Sequence, residues 1–438
     1  MKRIECVNVI GAGLAGCECA WILSQNGIKV KLYEMKPNKK SEAHVSDNFA
    51  ELVCSNSLKS ESLTNACGLL KKEMQILDSL FVEAALNTRV EAGQALAVDR
   101  NMFSEYITSK IKNEKNIEII YDEVENVEDL EGFTVIATGP LTSKALLENI
   151  GKMIGEEELY FYDAEAPIIS ADSINMDIAY RMDRYGNVGQ GDYLNLPMTK
   201  DEYFTWYNEL VNAESAPRHE FDKLILFEGC MPIEEMARRG EKTLVFGPLK
   251  PVGLENPNNS EKPYAVVQLR SENVNNTMYN MVGFQTSLKF GEQKRVFSMI
   301  PGLENAVFER YGVMHKNSYI NSSKILNDKF CMKENNNIYF AGQISGVEGY
   351  VESAASGLMV AYNIINRLKG KDISFPDTTI IGSLAKYIST ENKHFQPMNA
   401  NFGIIKPLEV RIKDKKEKYT RLSEIAINDI TEFKNNLK

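Results

Sequence analysis

Short runs of consecutive apolar residues alternate with mixed stretches of helical texture through residue 140, the pattern of strands buried on both faces and separated by helices. Val7-Asn8-Val9-Ile10 is the first such run, Ile28-Lys29-Val30-Lys31-Leu32-Tyr33 the second, and Phe133-Thr134-Val135-Ile136-Ala137-Thr138-Gly139 a later one ending in a glycine turn. This alternation predicts an α/β domain. A similar strand-to-turn unit, Asn337-Ile338-Tyr339-Phe340-Ala341-Gly342-Gln343, returns far downstream and leads into Gly346 to Gly357, where small residues open a helix. The apolar stretch Ala354 to Ile365 is broken by Ser356, Gly357, Tyr362 and Asn363, and is too short to cross a bilayer. Between these units the texture changes to many Tyr, Pro and Asn residues, with a strand expected at Tyr264-Ala265-Val266-Val267-Gln268-Leu269.

The first strand runs directly into Gly11-Ala12-Gly13-Leu14-Ala15-Gly16, and the second closes on Glu34. A tight turn at Gly11, a bare backbone at Gly13 facing a pyrophosphate, and close helix–strand packing at Gly16 are the requirements of a dinucleotide site. A carboxylate at Glu34 accepts hydrogen bonds from ribose hydroxyls and repels a 2′-phosphate, which favours FAD or NAD over NADP there. Gly139, Gly342, Gln343, Gly349 and Tyr350, in the later turns and at the start of the late helix, complete the expected cofactor set. The fold expected is α/β: a Rossmann-type FAD-binding domain of the glutathione-reductase kind, discontinuous over residues 1–150 and 325–438, with an inserted α+β substrate domain over 151–324.

Composition narrows the class. The chain has 438 residues, 43% hydrophobic and 25% charged, ordinary for a globular protein. Its start, Met1-Lys2-Arg3-Ile4-Glu5, carries no secretory apolar core, so a cytoplasmic protein is expected. Seven cysteines at 6, 17, 19, 54, 67, 230 and 331 form no CxxC pair and have no histidine at metal spacing, so reduced thiols and no metal are expected. The net charge of -10 argues against indiscriminate polyanion binding. One local exception is Asn401 to Arg421, where Lys406, Arg411, Lys413, Lys415, Lys416, Lys418 and Arg421 outnumber Glu409, Asp414 and Glu417 by four.

Two cysteines have settings suited to nucleophiles. Cys54 lies in the polar loop Phe49 to Ser60 beside Lys59, where a thiolate is expected to be stabilised. Cys230 precedes Met231-Pro232 and a helix running through Arg238 and Arg239, which places it near a helix N-terminus that depresses thiol pKa. Cys17 and Cys19, inside the first helix, read as core residues.

Val9 to Gly16, Ala50 to Ser57, Ala95-Leu96-Ala97-Val98-Asp99-Arg100, Phe227 to Ile233, Arg310-Tyr311-Gly312-Val313-Met314-His315, Gly346 to Gly357 and Phe395 to Gly403 together resemble the TrmFO family, over nearly the whole chain. That family comprises folate- and FAD-dependent RNA uridine-C5 methyltransferases; the first motif is shared with the wobble-uridine enzyme MnmG. The resemblance implies that Cys230 adds to uracil C6, and that Cys54 lies beside the flavin and protects or relays the one-carbon unit or helps remove the C5 proton. It implies that the carbon passes from methylenetetrahydrofolate to reduced flavin N5 and then to uracil, with NADPH or NADH regenerating the flavin. Glu348, Tyr350, His315 and Lys289 are the folate-binding residues expected from it. Arg238, Arg239, Lys406, Arg411, Lys413 and Lys415 are those expected to cradle RNA.

The implied target is position 54 in the tRNA T-loop, with 23S ribosomal RNA as the alternative. Two readings rank lower: an MnmG-like wobble modification, which predicts a partner GTPase and a longer chain and gives the two cysteine motifs no role, and a non-catalytic flavin RNA-binding protein, which predicts that Cys230→Ala leaves RNA methylation unchanged. Three positions depart from the tRNA-acting pattern: Glu91-Ala92-Gly93-Gln94 replaces a Pro-Ala-Gly-Gly string, Leu196 a cysteine, and Ser287 a histidine.

Overall fold

The computed structural model describes residues 6–155, 159–187, 189–216, 231–257 and 262–437. Its organising element is a five-stranded sheet in the order Ile338–Phe340, Phe133–Ile136, Cys6–Ile10, Lys29–Tyr33, Ile117–Ile120. Every pairing in it is parallel. Cys6–Ile10 is central, and Val7, Val9 and Ile10 are buried to 3% or less, which explains the unbroken apolar run. The last strand in sequence pairs with Phe133–Ile136, so a distant segment completes the first sheet. This is the strand order of a dinucleotide-binding fold.

Two helices lie against each other beside this sheet. The first, Leu14–Gln25, begins at Gly13, which caps it without any side-chain bond. The second, Tyr350–Leu368, buries every residue from Val351 to Asn366. They approach so closely that a methyl group added at Gly357 would stand 2.1 Å from the Ala15 carbonyl oxygen. Small residues in Ala354-Ala355-Ser356-Gly357 are therefore required by helix contact. Fully buried Leu358 and Ile364 each contribute about 1.5–3 kcal/mol of apolar burial.

A second core, running from Ala166 to Ala306, forms on an antiparallel six-stranded sheet in the order Tyr180–Arg181, Tyr193–Met198, Ala265–Ser271, Met278–Met281, Ile168–Ser170, Phe308–Arg310. Helix Lys200–Asn212 covers part of it, started by a capping box between Thr199 and Glu202 and anchored by fully buried Trp206. The strand expected at Tyr264 to Leu269 begins at Ala265 and extends to Ser271, because pairing with Met278–Met281 carries it two residues further. An antiparallel ribbon of Leu159–Ala164 and Met314–Tyr319 links the two units. A small sheet of Ser57–Ser60, Ala95–Val98 and Arg89–Val90 lies beside them.

Candidate active site

The turn after the first strand opens on a cavity of about 430 Å³ lined by Gly11, Ala12, Gly13, Leu14 and Ala15, by Glu34, and by Ala137, Thr138 and Gly139. The expected third strand stops at Ile136; the next three residues leave the sheet and become cavity wall. Gly11 has φ +96°, and a Cβ on it would stand 2.7 Å from the Ala137 carbonyl oxygen. Gly16 lies behind the turn, where a Cβ would stand 1.8 Å from the Gly11 oxygen. Gly13 meets nothing within 4 Å, so its bare backbone faces open space at the helix start. Glu34 Oε2 accepts from the Ala12 N–H at 2.9 Å and its Oε1 from the Lys36 N–H at 2.9 Å, which fixes the carboxylate at the end of its strand. Gly342, Gln343, Gly349 and Tyr350 line the same cavity. The buried Glu352 Oε2, also at this cavity, has no hydrogen-bond partner among the described residues. Open glycine backbone, a helix N-terminus and a positioned carboxylate fit a dinucleotide such as FAD.

Cys54 lies farther along the same wall, in a loop held from four sides. Arg100 donates from Nη1 to the Leu52 and Val53 carbonyls at 3.0 and 2.8 Å, while its Nε reaches Glu272 Oε2 at 2.7 Å. Arg310 adds a bond to the Val53 carbonyl at 3.1 Å. Asn56 Nδ2 donates to the Val98 and Ser271 carbonyls, and Asn56 Oδ1 accepts from Arg270. The Tyr350 hydroxyl accepts from the Cys54 N–H at 2.7 Å and donates to Cys54 Sγ at 3.1 Å. Asp99 caps the helix carrying Arg100, so the Ala-Val-Asp-Arg string is the brace of this loop.

The expectation of a stabilised Cys54 thiolate is corrected. Removal from water pushes the thiol up to about 12, and Asp163 adds to the push; the hydrogen bond from Tyr350 and the charge of Arg100 only partly oppose it. Burial, then the adjoining Cys54, likewise holds the Tyr350 hydroxyl well above its ordinary value.

The linking ribbon also lines this cavity. Its register sets His315 across from Asp163, and both line the cavity with Glu165 and Asn317. His315 Nε2 lies 2.9 Å from Glu165 Oε1, and Arg310 pairs with Glu165 Oε2 at 2.8 Å. Glu348 is buried and accepts from Gln343 Nε2 at 2.5 Å; burial, with Asp163 and Glu352 nearby, raises its pKa well above the carboxylate range. The C-terminal Phe395 to Gly403 motif lies alongside: Glu348 N–H donates to the Met398 carbonyl at 2.8 Å and Ala400 N–H to Glu352 at 2.9 Å. Glu348, Tyr350 and His315 are thus gathered at one cavity, although His315 precedes the other two by 33 and 35 residues in sequence.

Lys289 does not join them. It is exposed, at the start of helix Phe290–Phe297, and pairs with Glu214; buried Thr286, Ser287 and Leu288 separate it from cavity-lining Gln285. Cys230 lies outside the described residues, but both described flanks of its segment dock on one short stretch. Ala216 N–H donates to the Ser287 carbonyl and Ile233 N–H to the Gln285 carbonyl, each at 2.7 Å. Buried Glu234 ties the following helix down by accepting from Thr286 Oγ1, Ser287 N–H and Ser287 Oγ; Ser287, a departure in sequence, is used here as a donor. Arg238, the last residue of helix Ile233–Arg238, and Arg239, which caps it, are exposed, Arg238 paired with Glu235 at 2.7 Å. Lys406, Arg411, Lys413 and Lys415 are exposed together near the C-terminus, Lys406 within 3.8 Å of Asp377 and Lys415 over the Tyr419 ring.

Asp163, Glu165, Asn317 and Glu352 escaped the sequence reading. Only the i, i+2 spacing of Asp163, near the end of strand Leu159–Ala164, and Glu165, just past it, hinted at a shared face.

The glucose inhibited division protein A family (GIDA) matches residues 6–372. A protein of Halalkalibacterium halodurans named methylenetetrahydrofolate--tRNA-(uracil-5-)-methyltransferase TrmFO is 54% identical over 429 residues, 98% of each chain. A protein of the same name from Fusobacterium nucleatum is 57% identical over 433 residues, 99% of each chain. Among solved structures, Aquifex aeolicus GidA (form I crystal) aligns with a TM-score of 0.72 at 18% identity, covering 98% of this chain and 75% of that one; it shares the fold. Identity of this extent across the whole length leaves one assignment: the chain belongs to the TrmFO family, within the wider GIDA family.

Proposed function

We infer that this chain is an FAD- and methylenetetrahydrofolate-dependent enzyme that methylates uridine C5 in tRNA. One observation carries the reading: a dinucleotide cradle that opens directly onto a cysteine–tyrosine pair, in a chain 54–57% identical over its length to proteins named for that reaction. The bound folate supplies the carbon and the bound flavin the electrons, with NADPH or NADH as the proposed reductant.

The chain's own residues have separable tasks in this reading. Glu34 and the Gly11 to Gly16 turn hold the nucleotide end, and the start of helix Tyr350–Leu368 presents backbone N–H groups to the ring end. Glu348, His315 and Tyr350 are proposed to hold the folate, with Glu165 fixing the orientation of the His315 ring. Uracil C5 is too poor a nucleophile to act alone; addition of a thiolate to C6 creates the enolate that lets C5 attack. Cys230 is the thiol proposed for that addition, supported by the docking of both flanks of its segment beside Gln285. Cys54, neutral at physiological pH, holds a proton between its Sγ and the Tyr350 hydroxyl. The exposed groups Arg238, Arg239, Lys406, Arg411, Lys413 and Lys415 are proposed to meet RNA phosphates, and T-loop position 54 is the proposed target.

The test is transfer of label from methylene-labelled tetrahydrofolate, with NADPH and purified protein, into RNA lacking 5-methyluridine. Label is expected in tRNA and at C5 of one T-loop uridine; label confined to ribosomal RNA, or none in either, overturns the assignment. Cys230→Ala is expected to keep its flavin spectrum and lose transfer, and full turnover by that variant would remove Cys230 from the C6 addition.

A further inference from the structure

Among the described residues, three near-parallel aromatic rings run from half-buried Phe308, packed on the second core, through half-buried Tyr311 to Phe290 at the surface. Phe290 stacks on Tyr311 with centroids 4.9 Å apart and planes 14° apart, and Phe308 stacks on the same Tyr311 at 5.2 Å and 10°. Phe290 is 53% exposed. The stacked pair Phe375–Phe433, by contrast, is enclosed, its residues only 7% and 5% exposed. The parallel trio instead presents a planar apolar ring to solvent, a surface that another flat ring can extend.

The trio is tied to the cavity at two points. Tyr311 follows Arg310, whose guanidinium reaches the Val53 carbonyl and Glu165, both of the cavity wall. Gly312, on its other side, packs so closely that a Cβ would stand 2.4 Å from the Glu165 carbonyl oxygen. Phe290 itself stands five residues beyond cavity-lining Gln285, next to Lys289, the cation that the cavity leaves outside.

We propose that Phe290, with Tyr311 and Phe308, is a stacking platform for an unpaired base flanking the target uridine of the RNA. The proposal rests on the reading of the chain as an RNA uridine methyltransferase. An enzyme that must reach C5 and C6 draws the target base out of its stack, and the neighbours it strands need a new π surface. The cations flanking Phe290 in sequence are already matched by acids, Lys289 paired to Glu214 and Arg295 to Glu209 and Glu292. Attraction here therefore comes from ring stacking and only weakly from phosphate neutralisation.

The experiment is binding of a fluorescently labelled T-arm stem-loop RNA to the flavin-loaded protein, measured by anisotropy across a salt series for the parent, Phe290→Leu and Phe290→Trp. Leucine keeps the apolar bulk and removes the π face, so its affinity is expected to fall about 5- to 150-fold, with an unchanged slope of affinity against salt. Tryptophan is expected to restore binding. Flavin reduction by NADPH without RNA is expected to match the parent in both variants. A leucine variant that binds as tightly as the parent overturns the platform; so does a tryptophan variant that fails alongside it, or a leucine effect seen only as a change in self-association by sedimentation. The two readings separate cleanly, because a parent protein that binds the stem-loop through Phe290 yet transfers no label would sink the methylation assignment and leave the platform standing.

Discussion

Replacing Arg100 by alanine removes the brace of the Cys54 loop and strands a carboxylate. The Arg100 side chain is 14% exposed and that of Glu272 only 2%, with Nε and Nη2 of the arginine on the two carboxylate oxygens at 2.7 and 3.2 Å. Removing one member of so enclosed a pair leaves an uncompensated charge, at a cost of about 3–5 kcal/mol. The Leu52 and Val53 carbonyls lose their donor as well, although Arg310 still reaches Val53. Removing both side chains, as Arg100→Ala with Glu272→Ala, takes away the stranded charge and leaves the orphaned carbonyls, costing about 1–3 kcal/mol. The double variant is therefore expected to be more stable than Arg100→Ala alone, with a coupling energy above about 1 kcal/mol in the cycle. Urea unfolding of the four proteins, followed by circular dichroism, measures it. Additive losses, or an Arg100→Ala cost below about 1 kcal/mol, would refute the reasoning.

Three further outcomes follow from the same geometry. Gly357→Ala forces the late helix away from Ala15, where a Cβ has only 2.1 Å; a loss of about 1–3 kcal/mol and weaker flavin retention are expected, read by thermal melting and by flavin absorbance after gel filtration. Cys54, with a folded value of about 12 against an ordinary 9.0, gains no charge below pH 9, and the stability tied to its neutral form is lost only as pH rises from 9 towards 12; its alkylation, followed by peptide mass spectrometry, is expected to climb about tenfold per pH unit without a plateau by pH 10, and a plateau near pH 9 would contradict the enclosure argument. Glu34→Gln keeps one carbonyl acceptor and replaces the other oxygen by a donor facing the Ala12 or Lys36 N–H, so flavin affinity measured by titration into apoprotein is expected to fall about 5- to 150-fold.

The glycine fingerprint, Glu34 and the α/β pattern were legible because each is set within one or two neighbouring elements: a strand, its turn and the helix after it obey local sterics, and the buried strands need continuous apolar runs. The close helix contact at Gly357 could also be anticipated from small residues alone. The place of Lys289 was not legible, because sequence distance carries no direction; Gln285 lines the cavity, the next three residues are buried, and Lys289 surfaces beyond them against Glu214. Cys54 was read from its polar neighbours as an ionised thiol, whereas the field at Sγ comes from residues remote in sequence: Asp163 on the ribbon, Tyr350 on the late helix and Arg100 behind the loop. The sequence by itself determined the nucleotide turn and the sheet type, since these depend on adjacent residues. The tertiary structure alone decided which acids, which histidine and which aromatic rings share the cavity and its rim, because enclosure and charge are sums over every chain segment that folding brings within a few ångströms.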